Sequence, residues 1–425
     1  MIRNPFMPSD IAALPDEFFG RRDELRTFER SIGQGYVAIQ GPMGIGKSSL
    51  LARALLLMEG FDSNNTATSV VVVGNKSVET IDDAARLILE SFTDVDERSA
   101  RIGFKIGSLL EIESGEIKRY FTQGRHLAAL SRVVEREYLD RILDDRGMLI
   151  LAIDEADRCP RPLAQMIRAL ATHAQHHGVK RLRFVVAGVS PFFQEMVNED
   201  QGLARFFYRT IMLQPMHEDE ARDLLETKLL RAAEEAESQG ATLQIDPRVI
   251  GRVLALAGGH PHLLQLLGSH LIEREDEDPD GVIDSKDLST SLRRICYEDR
   301  ARVYEATIRL LELSDRLDAL QVILGYMPRG FPSRIDKAIA IEQIGPDAVQ
   351  WLLERNILSS RSQDEYGLVD EFLRVRLLLD EADSDLERMR LEQVVIEGAM
   401  IGHAYFDDPG GREELELDDY DKDSK

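Results

Sequence analysis

The sequence contains no run of about 18 apolar residues, although apolar residues make up 43% of its 425 positions. A membrane-spanning helix needs roughly 20 such residues in succession, so we expect no membrane span. No apolar stretch of about 7–15 residues follows the single arginine near the N-terminus, which excludes a secretory signal. These absences predict a cytoplasmic protein without membrane partners.

Cysteine is scarce as well, with only Cys159 and Cys296 in the chain. The two residues have neither the spacing of a metal site nor the density of a disulfide scaffold. We therefore expect buried or idle thiols. Internal repeats are also absent.

The chain also has few positive charges, since its 52 Lys and Arg are outnumbered by 76 Asp and Glu, which gives a formal net charge of -24. Nonspecific binding of nucleic acid depends on Lys and Arg side chains that neutralise phosphates. The average surface is expected to repel DNA, which leaves only a local basic patch for such a role.

A glycine-rich segment follows the short apolar run at residues 36–40 and precedes a helical pattern. It fits G-x-x-x-x-G-K-[ST], in which backbone amides and a helix N-terminus face the phosphates of a nucleotide. Lys47 is expected to contact the β- and γ-phosphates, and Ser48 to hold Mg²⁺. The segment predicts a site for ATP or a close relative, formed by Gly41, Pro42, Met43, Gly44, Ile45, Gly46, Lys47, Ser48 and Ser49.

Two acids, Asp154 and Glu155, end the apolar run at residues 148–153. Parallel α/β sheets bind ligands at the carboxyl ends of their strands. Asp154 is expected to support Mg²⁺, directly or through water, and Glu155 to polarise the water that attacks the γ-phosphate. The alternative, two acids solvated at a strand end, is disfavoured by the upstream loop. The pair predicts ATP hydrolysis.

Four further polar residues stand at the ends of predicted strands, and each has two interpretations. Ser190 either contacts the γ-phosphate or its water, or caps the next helix. Asn75 either contacts Glu155 and holds it in an inactive position, or is an ordinary turn residue. Arg205 and Arg209 either reach the γ-phosphate of a neighbouring subunit or are surface arginines.

Five segments are expected along the chain. Continuous apolar runs alternate with helical patterns, which predicts an α/β P-loop NTPase with a parallel sheet covered by helices on both faces. Later helical patterns and a turn at residues 361–367 predict a helical lid and a winged helix. We predict a base-contacting lead-in at 1–35, an ATPase core at 36–216, a lid and linker at 217–284, a winged-helix domain at 285–385 and a helical to acidic, disordered tail at 386–425.

The core carries an unusually long interval between two strands, an insert at about 94–146. Alternating apolar residues on either side of Ser114 and Gly115 predict a β-hairpin, followed by a helix from about Leu127 to Leu143. An extended loop is the alternative. The insert also holds the better candidates for DNA contact, or otherwise a solvated charged hairpin, namely Arg101, Lys105, Lys118, Arg119 and Arg125.

Taken in order, these motifs resemble the AAA+ and STAND groups of P-loop ATPases, especially archaeal-type ATPases related to origin-recognition initiators. The resemblance covers roughly residues 4–380. Besides the two nucleotide motifs it rests on Asn4-Pro5-Phe6, on residues 18–25, on residues 213–216, on Gly258-Gly259-His260-Pro261 and on residues 366–374.

The resemblance implies that Phe19, Gly20 and Arg21 lie near the adenine. It places His260 and Pro261 where many AAA+ proteins have an arginine that senses nucleotide. No arginine stands beside them here, which favours the STAND-like variant. His260 is either a nucleotide contact or a turn residue that caps a helix.

Three functions follow from these observations. The favoured one is an ATP-binding and hydrolysing switch that controls a protein partner or self-assembly into an oligomer. A DNA-binding initiator or transposition-type ATPase is the second, although residues 331–380 hold six Lys and Arg against nine Asp and Glu. An adaptor with a dead nucleotide site is the third, and the intact motifs argue against it. The process could be replication, mobile-element movement, phage defence or signalling.

Overall fold

The computed structural model describes residues 2–59, 67–92, 120, 123–143, 147–328, 330–382 and 385–407. Within these ranges no helix is long and apolar enough to cross a membrane.

Five parallel strands form the central sheet, and they are rich in Val, Ile and Leu. They are β1 Tyr36–Gly41, β2 Ala67–Val73, β3 Met148–Asp154, β4 Leu182–Val189 and β5 Phe207–Met212, in the order β2-β3-β4-β1-β5. Side chains buried on both faces suit a parallel sheet covered by helices, as predicted. Because β4 lies between β1 and β3, the carboxyl ends of these three strands meet at one edge.

Helices cover both faces of the sheet. They are α1 Arg22–Ile32, α2 Lys47–Met58, α3 Ile81–Ser91, α4 His126–Val133, α5 Arg136–Ile142, α6 Pro160–His176 and α7 Phe192–Glu199. Helices α1 and α2 bury their apolar side chains against one face, and α3 to α7 against the other.

The helix predicted at 127–143 is two helices in the structure. Val134 ends α4, and Glu135 adopts an extended backbone before α5 begins. The break turns the chain so that Leu130, Val134 and Leu139 all stay in the core beside the sheet. The hairpin predicted before this helix, with four of the five basic candidates, lies outside the described residues, while Arg125 immediately precedes α4.

A helical lid follows the sheet, as predicted. It consists of α8 Glu218–Ser238, α9 Pro247–Ala257 and α10 Pro261–Glu277, with a short parallel pair, β6 Gln244–Ile245 and β7 Val282–Ile283. Asp246 caps α9, and Pro247 and Pro261 occupy the first turns of α9 and α10, where proline loses no hydrogen bond. Gly258 then ends α9 in a left-handed conformation.

The C-terminal region is largely helical. It contains α11 Ser285–Arg294, α12 Ala301–Leu313, α13 Leu317–Tyr326, α14 Lys337–Ile344, α15 Pro346–Glu354, α16 Glu371–Asp380 and α17 Asp385–Asp407. A small antiparallel sheet joins β8 Ile335–Asp336, β10 Glu365–Leu368 and β9 Leu358–Ser360 in that order. We call residues 301–380 the C-terminal module. Its identity as a winged helix stays a prediction, and residues 408–425 of the predicted tail lie outside the described ranges.

The lid and the C-terminal module share one apolar core, which runs from Leu224 in the lid to Leu379 in the module. The N-terminal segment joins it, because Phe6 is buried in the same core. The Lys228 ammonium donates to the Pro5 carbonyl at 2.6 Å, which fixes this segment on α8. The chain therefore starts on the lid and then crosses to the sheet.

A buried carboxylate, Glu371, organises the module. It accepts hydrogen bonds from the Ser333 amide at 2.9 Å and the Ser333 hydroxyl at 2.5 Å. The buried guanidinium of Arg361 lies 3.8 Å away. Arg374 donates to the same hydroxyl at 3.0 Å. The carboxylate of Glu371 thus offsets the positive charge of the neighbouring guanidinium groups in this cluster.

Replacing Glu371 with Ala is expected to destabilise the module by about 3–5 kcal/mol, because it leaves the buried Arg361 charge without its carboxylate. Urea unfolding followed by circular dichroism measures this. Glu342→Ala, at an exposed position of α14, is the control and should change stability by no more than about 0.5 kcal/mol. Equal stability of the two variants would show that the cluster does not hold the module together.

Candidate functional site

The predicted phosphate loop lies between β1 and α2, at the edge where β1, β3 and β4 end. Gly41 is the last residue of β1, and Lys47 is the first residue of α2. Gly44 and Gly46 have φ values of 74° and 95°, which side chains strongly disfavour. The loop thus curls around the N-terminus of α2, where backbone amides are unpaired and suited to an anion. Ser48 and Ser49 follow Lys47 in the first turn.

The Lys47 ammonium is buried inside this loop. It donates to the carbonyls of Gly41 at 3.1 Å and Pro42 at 2.7 Å. Burial lowers its pKa to about 8, against the opposing influence of nearby Asp157, Asp154 and Glu155. Because this cation is removed from water, binding of phosphate oxygens beside it would be energetically favourable.

Asp154 ends β3 opposite the loop and is buried. Its carboxylate accepts the Glu155 amide at 2.9 Å, which fixes its direction. Asp157, in the turn that follows, accepts the Val189 amide at 2.9 Å and so ties the end of β3 to the end of β4. We assigned Asp157 no role from the sequence, although it belongs to the same acidic motif.

Glu155 has a left-handed backbone, with φ 48°. Its half-exposed carboxylate pairs with Arg158 at 2.6 Å. Gly74 at the end of β2 lies so close that a Cβ there would stand 2.3 Å from the Glu155 carbonyl. Asn75 directs its side-chain oxygen to the Ser77 amide at 2.9 Å, as an ordinary turn residue does.

Ser190 follows β4 directly, between the loop and the acidic pair. Its hydroxyl is buried and has no hydrogen-bond partner among the described residues. It does not cap α7, which begins after Pro191 without a side-chain cap. A buried hydroxyl without a partner costs free energy, so this position is suited to a ligand oxygen.

His260 joins the lid to the phosphate loop. Its Nε2 lies 2.9 Å from the Met43 carbonyl, and since a carbonyl only accepts, Nε2 carries the hydrogen. Burial lowers the pKa of this imidazole to about 3, so it is neutral. Its Nδ1 is buried without a partner among the described residues. The side chain does not cap α10, and Pro261 follows in the first turn.

Gly44 permits this close approach of the lid, because a Cβ there would lie 2.8 Å from the His260 ring. His262 extends the contact to the N-terminal segment, with Nδ1 3.0 Å from the Pro8 carbonyl. The lid is therefore closed on the loop.

Residues 19–21 lie beside the loop, and their proximity to an adenine stays a prediction. Phe19 packs against the apolar core of the lid. Gly20 has φ 63°, and the amide of Arg21 donates to Glu220 of the lid at 2.8 Å. The buried Arg21 side chain donates to the Ile45 carbonyl at 3.2 Å.

Between this segment, the loop and the lid is a cavity of about 290 Å³. Residues 7–12 and Phe18 line one side, and Leu224 and Gln265 of the lid line the other. Walls that combine apolar and polar side chains next to a phosphate loop suit the base and ribose of a nucleotide. Neither Leu224 nor Gln265 belongs to a sequence motif, because only the packing of the lid brings them here.

A second cavity, of about 360 Å³, lies on the other side of Met43 and Gly44. Its far wall is formed by Arg300, the residue before α12, and by Asn356 of the C-terminal module. Arg300 pairs with Asp370 at 2.9 Å, and the Asn356 amide donates to the Ser190 carbonyl at 3.4 Å. Three parts of the chain thus meet at one loop.

Comparison with known families agrees with this geometry. The model of the family described as Novel STAND NTPase 1 matches residues 12–283, which is more than half of the chain. The chain belongs to the novel STAND NTPase family. A comparison with curated protein sequences gives no significant match for this NTPase.

Two solved structures share the fold of this STAND NTPase. The Walker-type ATPase PABY2304 of Pyrococcus abyssi has a TM-score of 0.55 at 16% identity, covering 87% of this chain and 99% of that one. The ORC2 protein of Aeropyrum pernix, solved as ADPNP-ADP complexes, has a TM-score of 0.50 at 14% identity, covering 96% and 99%. The AAA+ and STAND resemblance is therefore confirmed at the level of family and fold.

Arg205 and Arg209 lie away from the loop. Arg205 stacks over Phe206 at 4.7 Å just before β5, and Arg209 is an exposed residue of β5. Because β5 runs parallel to β1, its beginning lies at the sheet edge opposite the phosphate loop. Neither arginine reaches the site of its own chain, and action on a neighbouring subunit stays a prediction.

Lys47→Ala is expected to weaken nucleotide binding by roughly 30-fold or more, because it removes the buried cation that faces the phosphates. Since the pKa of Lys47 is about 8 in the free protein, affinity should also fall as the pH rises from 7 to 9, with proton uptake on binding. Calorimetry in two buffers of different ionisation enthalpy measures both effects. Lys180→Ala, at an exposed position, is the control. Wild-type affinity in Lys47→Ala would contradict the loop assignment.

Proposed function

We propose that this STAND NTPase binds ATP with Mg²⁺, hydrolyses it slowly and uses the bound nucleotide to control a protein partner or its own assembly. The contact of His260 with the Met43 carbonyl carries this proposal. It makes the position of the lid depend directly on the conformation of the phosphate loop. The C-terminal module shares its core with the lid and contacts Ser190, so both would respond to the same ligand.

The donors at the site fit a nucleotide and its metal ion. Lys47 and the amides of the loop would hold the phosphates, and the first cavity would hold the base. Ser48 and Asp154 would support Mg²⁺, with Asp157 close enough to influence Lys47. When bound, the ion would neutralise charge on the phosphates. Hydroxyl and carboxylate oxygens are the ligands that Mg²⁺ prefers, which supports this assignment.

Hydrolysis would require Glu155 to leave Arg158. Their ion pair is half-exposed on both sides and so is worth at most about 1 kcal/mol. Glu155 would then polarise a water molecule, while Ser190 would orient that water or contact the γ-phosphate. Breaking a pair of this strength would lower the rate by no more than about fivefold, so the pair does not prevent hydrolysis.

Nucleotide exchange would move the lid and the module together. A γ-phosphate next to Ser190 would compete with the Asn356 contact. The second cavity, with Arg300 on its wall, gives an anion room at this point. Displacement would expose the surface of the module to a partner.

DNA is disfavoured as that partner, because residues 331–380 carry an excess of acids. A role in phage defence is compatible with the same switch.

Glu155→Gln is expected to keep ATP affinity and to lower turnover by about 100- to 10,000-fold, because the amide cannot accept the proton of water. Phosphate release under single-turnover conditions, with binding measured separately, tests this. Glu195→Gln, at an exposed position of α7, serves as the control. Near-normal phosphate release from Glu155→Gln would move the water-activating role to another residue.

The switch predicts that hydrogen exchange depends on nucleotide. Residues 260–263 and 355–370 should exchange faster with a non-hydrolysable ATP analogue than with ADP, since the contacts to Met43 and Ser190 loosen. Mass photometry on the same samples reports whether assembly accompanies the change. Lys47→Ala should show no difference between nucleotides. Identical exchange in all states of the wild type would rule out this form of control.

A further inference from the structure

Two histidines lie together at the end of α6, far along the chain from the phosphate loop. His173 and His177 are one helical turn apart, so they share a face of the helix. Their ring centroids are 4.2 Å apart, with 32° between the ring planes. This is close packing for two groups that would repel each other if both were protonated.

A carboxylate from the break between α4 and α5 completes the cluster. Glu135 Oε1 lies 3.3 Å from Nε2 of His173. That nitrogen is buried and forms no directed hydrogen bond within the described part of the chain. The three residues each offer one ligand atom, and these atoms all lie within 4.8 Å of one another.

Nitrogen and carboxylate oxygen atoms that converge in this way offer lone pairs to a metal ion, which binds the neutral form of imidazole.

We propose that Glu135, His173 and His177 form a binding site for Zn²⁺. Two imidazoles and one carboxylate are a common set of zinc ligands, and two histidines four residues apart on a helix recur in zinc sites. His177 is exposed, which gives the ion a path of entry and leaves the fourth position to water.

Bound zinc would fasten the α4–α5 hairpin to α6. Arg132 already orients the carboxylate, with its Nη1 3.1 Å from Oε1 and 3.0 Å from Oε2 of Glu135. An outer partner of this kind fixes a ligand in place, although its positive charge lowers affinity for the cation. The site would therefore bind zinc more weakly than a closed site of four protein ligands. It is independent of the nucleotide function proposed above.

Zinc titration of the full chain without a histidine tag tests the proposal. Excess Mg²⁺ occupies sites made of oxygen ligands during calorimetry, and Co²⁺ as a second probe reports tetrahedral coordination by its visible absorption. We expect one zinc ion per chain, and a rise in the temperature of unfolding when zinc is added.

His173→Gln and His177→Gln should each weaken zinc binding by at least about 10- to 100-fold, the loss typical of an outer partner alone. His176→Gln is the matched control, because it is an exposed histidine of the same helix. It should bind zinc and gain stability as the wild type does. Unchanged far-ultraviolet circular dichroism shows that each variant is folded, and exposed His177 can be changed without disturbing the core.

Absence of zinc binding in the wild type would overturn the proposal. So would equal binding by His177→Gln and His176→Gln, which would place the ion elsewhere. Glu135→Gln separates the carboxylate from the two rings, and retention of full affinity by this variant would also contradict the three-ligand site.

Discussion

Parallel pairing of β1, β3 and β4 is the constraint on which the rest of the molecule depends. Gly41 pairs with Val189, and Ile153 pairs with Val186, so the three strands end at one edge. The loop lies more than 100 residues before the acidic pair and Ser190 in sequence, and the register brings all three together. A shift of one strand would separate the buried Lys47 ammonium from the acids that raise its pKa.

Closure of the lid follows from this edge. The curled loop leaves the Met43 carbonyl without a partner in the loop itself, and His260 donates to it. The imidazole is neutral because it is buried, so the contact does not depend on its protonation across the physiological range. If phosphate were bound only through Lys47, its binding would have no direct effect on the position of the lid. Here the loop backbone that would face a phosphate also holds the lid.

The nucleotide loop and the acidic pair were predictable from sequence because their chemistry lies in short, continuous motifs. The sheet and the helical region after it were predictable too, since continuous apolar runs, glycine and proline mark them. Arg300, Asn356 and Gln265 were not, because tertiary packing brings them to the loop from over 200 residues away. The break at Glu135 was missed for a similar reason, as the helical pattern continues through it and only burial against the sheet bends the chain.

The N-terminal segment and the segment after β5 both connect the lid to the sheet. Phe6 is anchored in the core of the lid, and the chain then passes the nucleotide cavity before it enters α1. The chain returns to the lid after β5, where the Met216 amide donates to the Gly259 carbonyl at 2.8 Å. Two covalent tethers thus join the same pair of bodies. Two connections restrict the relative motion of these parts to rotation about one axis, so the lid and the module would move along one path beside the first cavity.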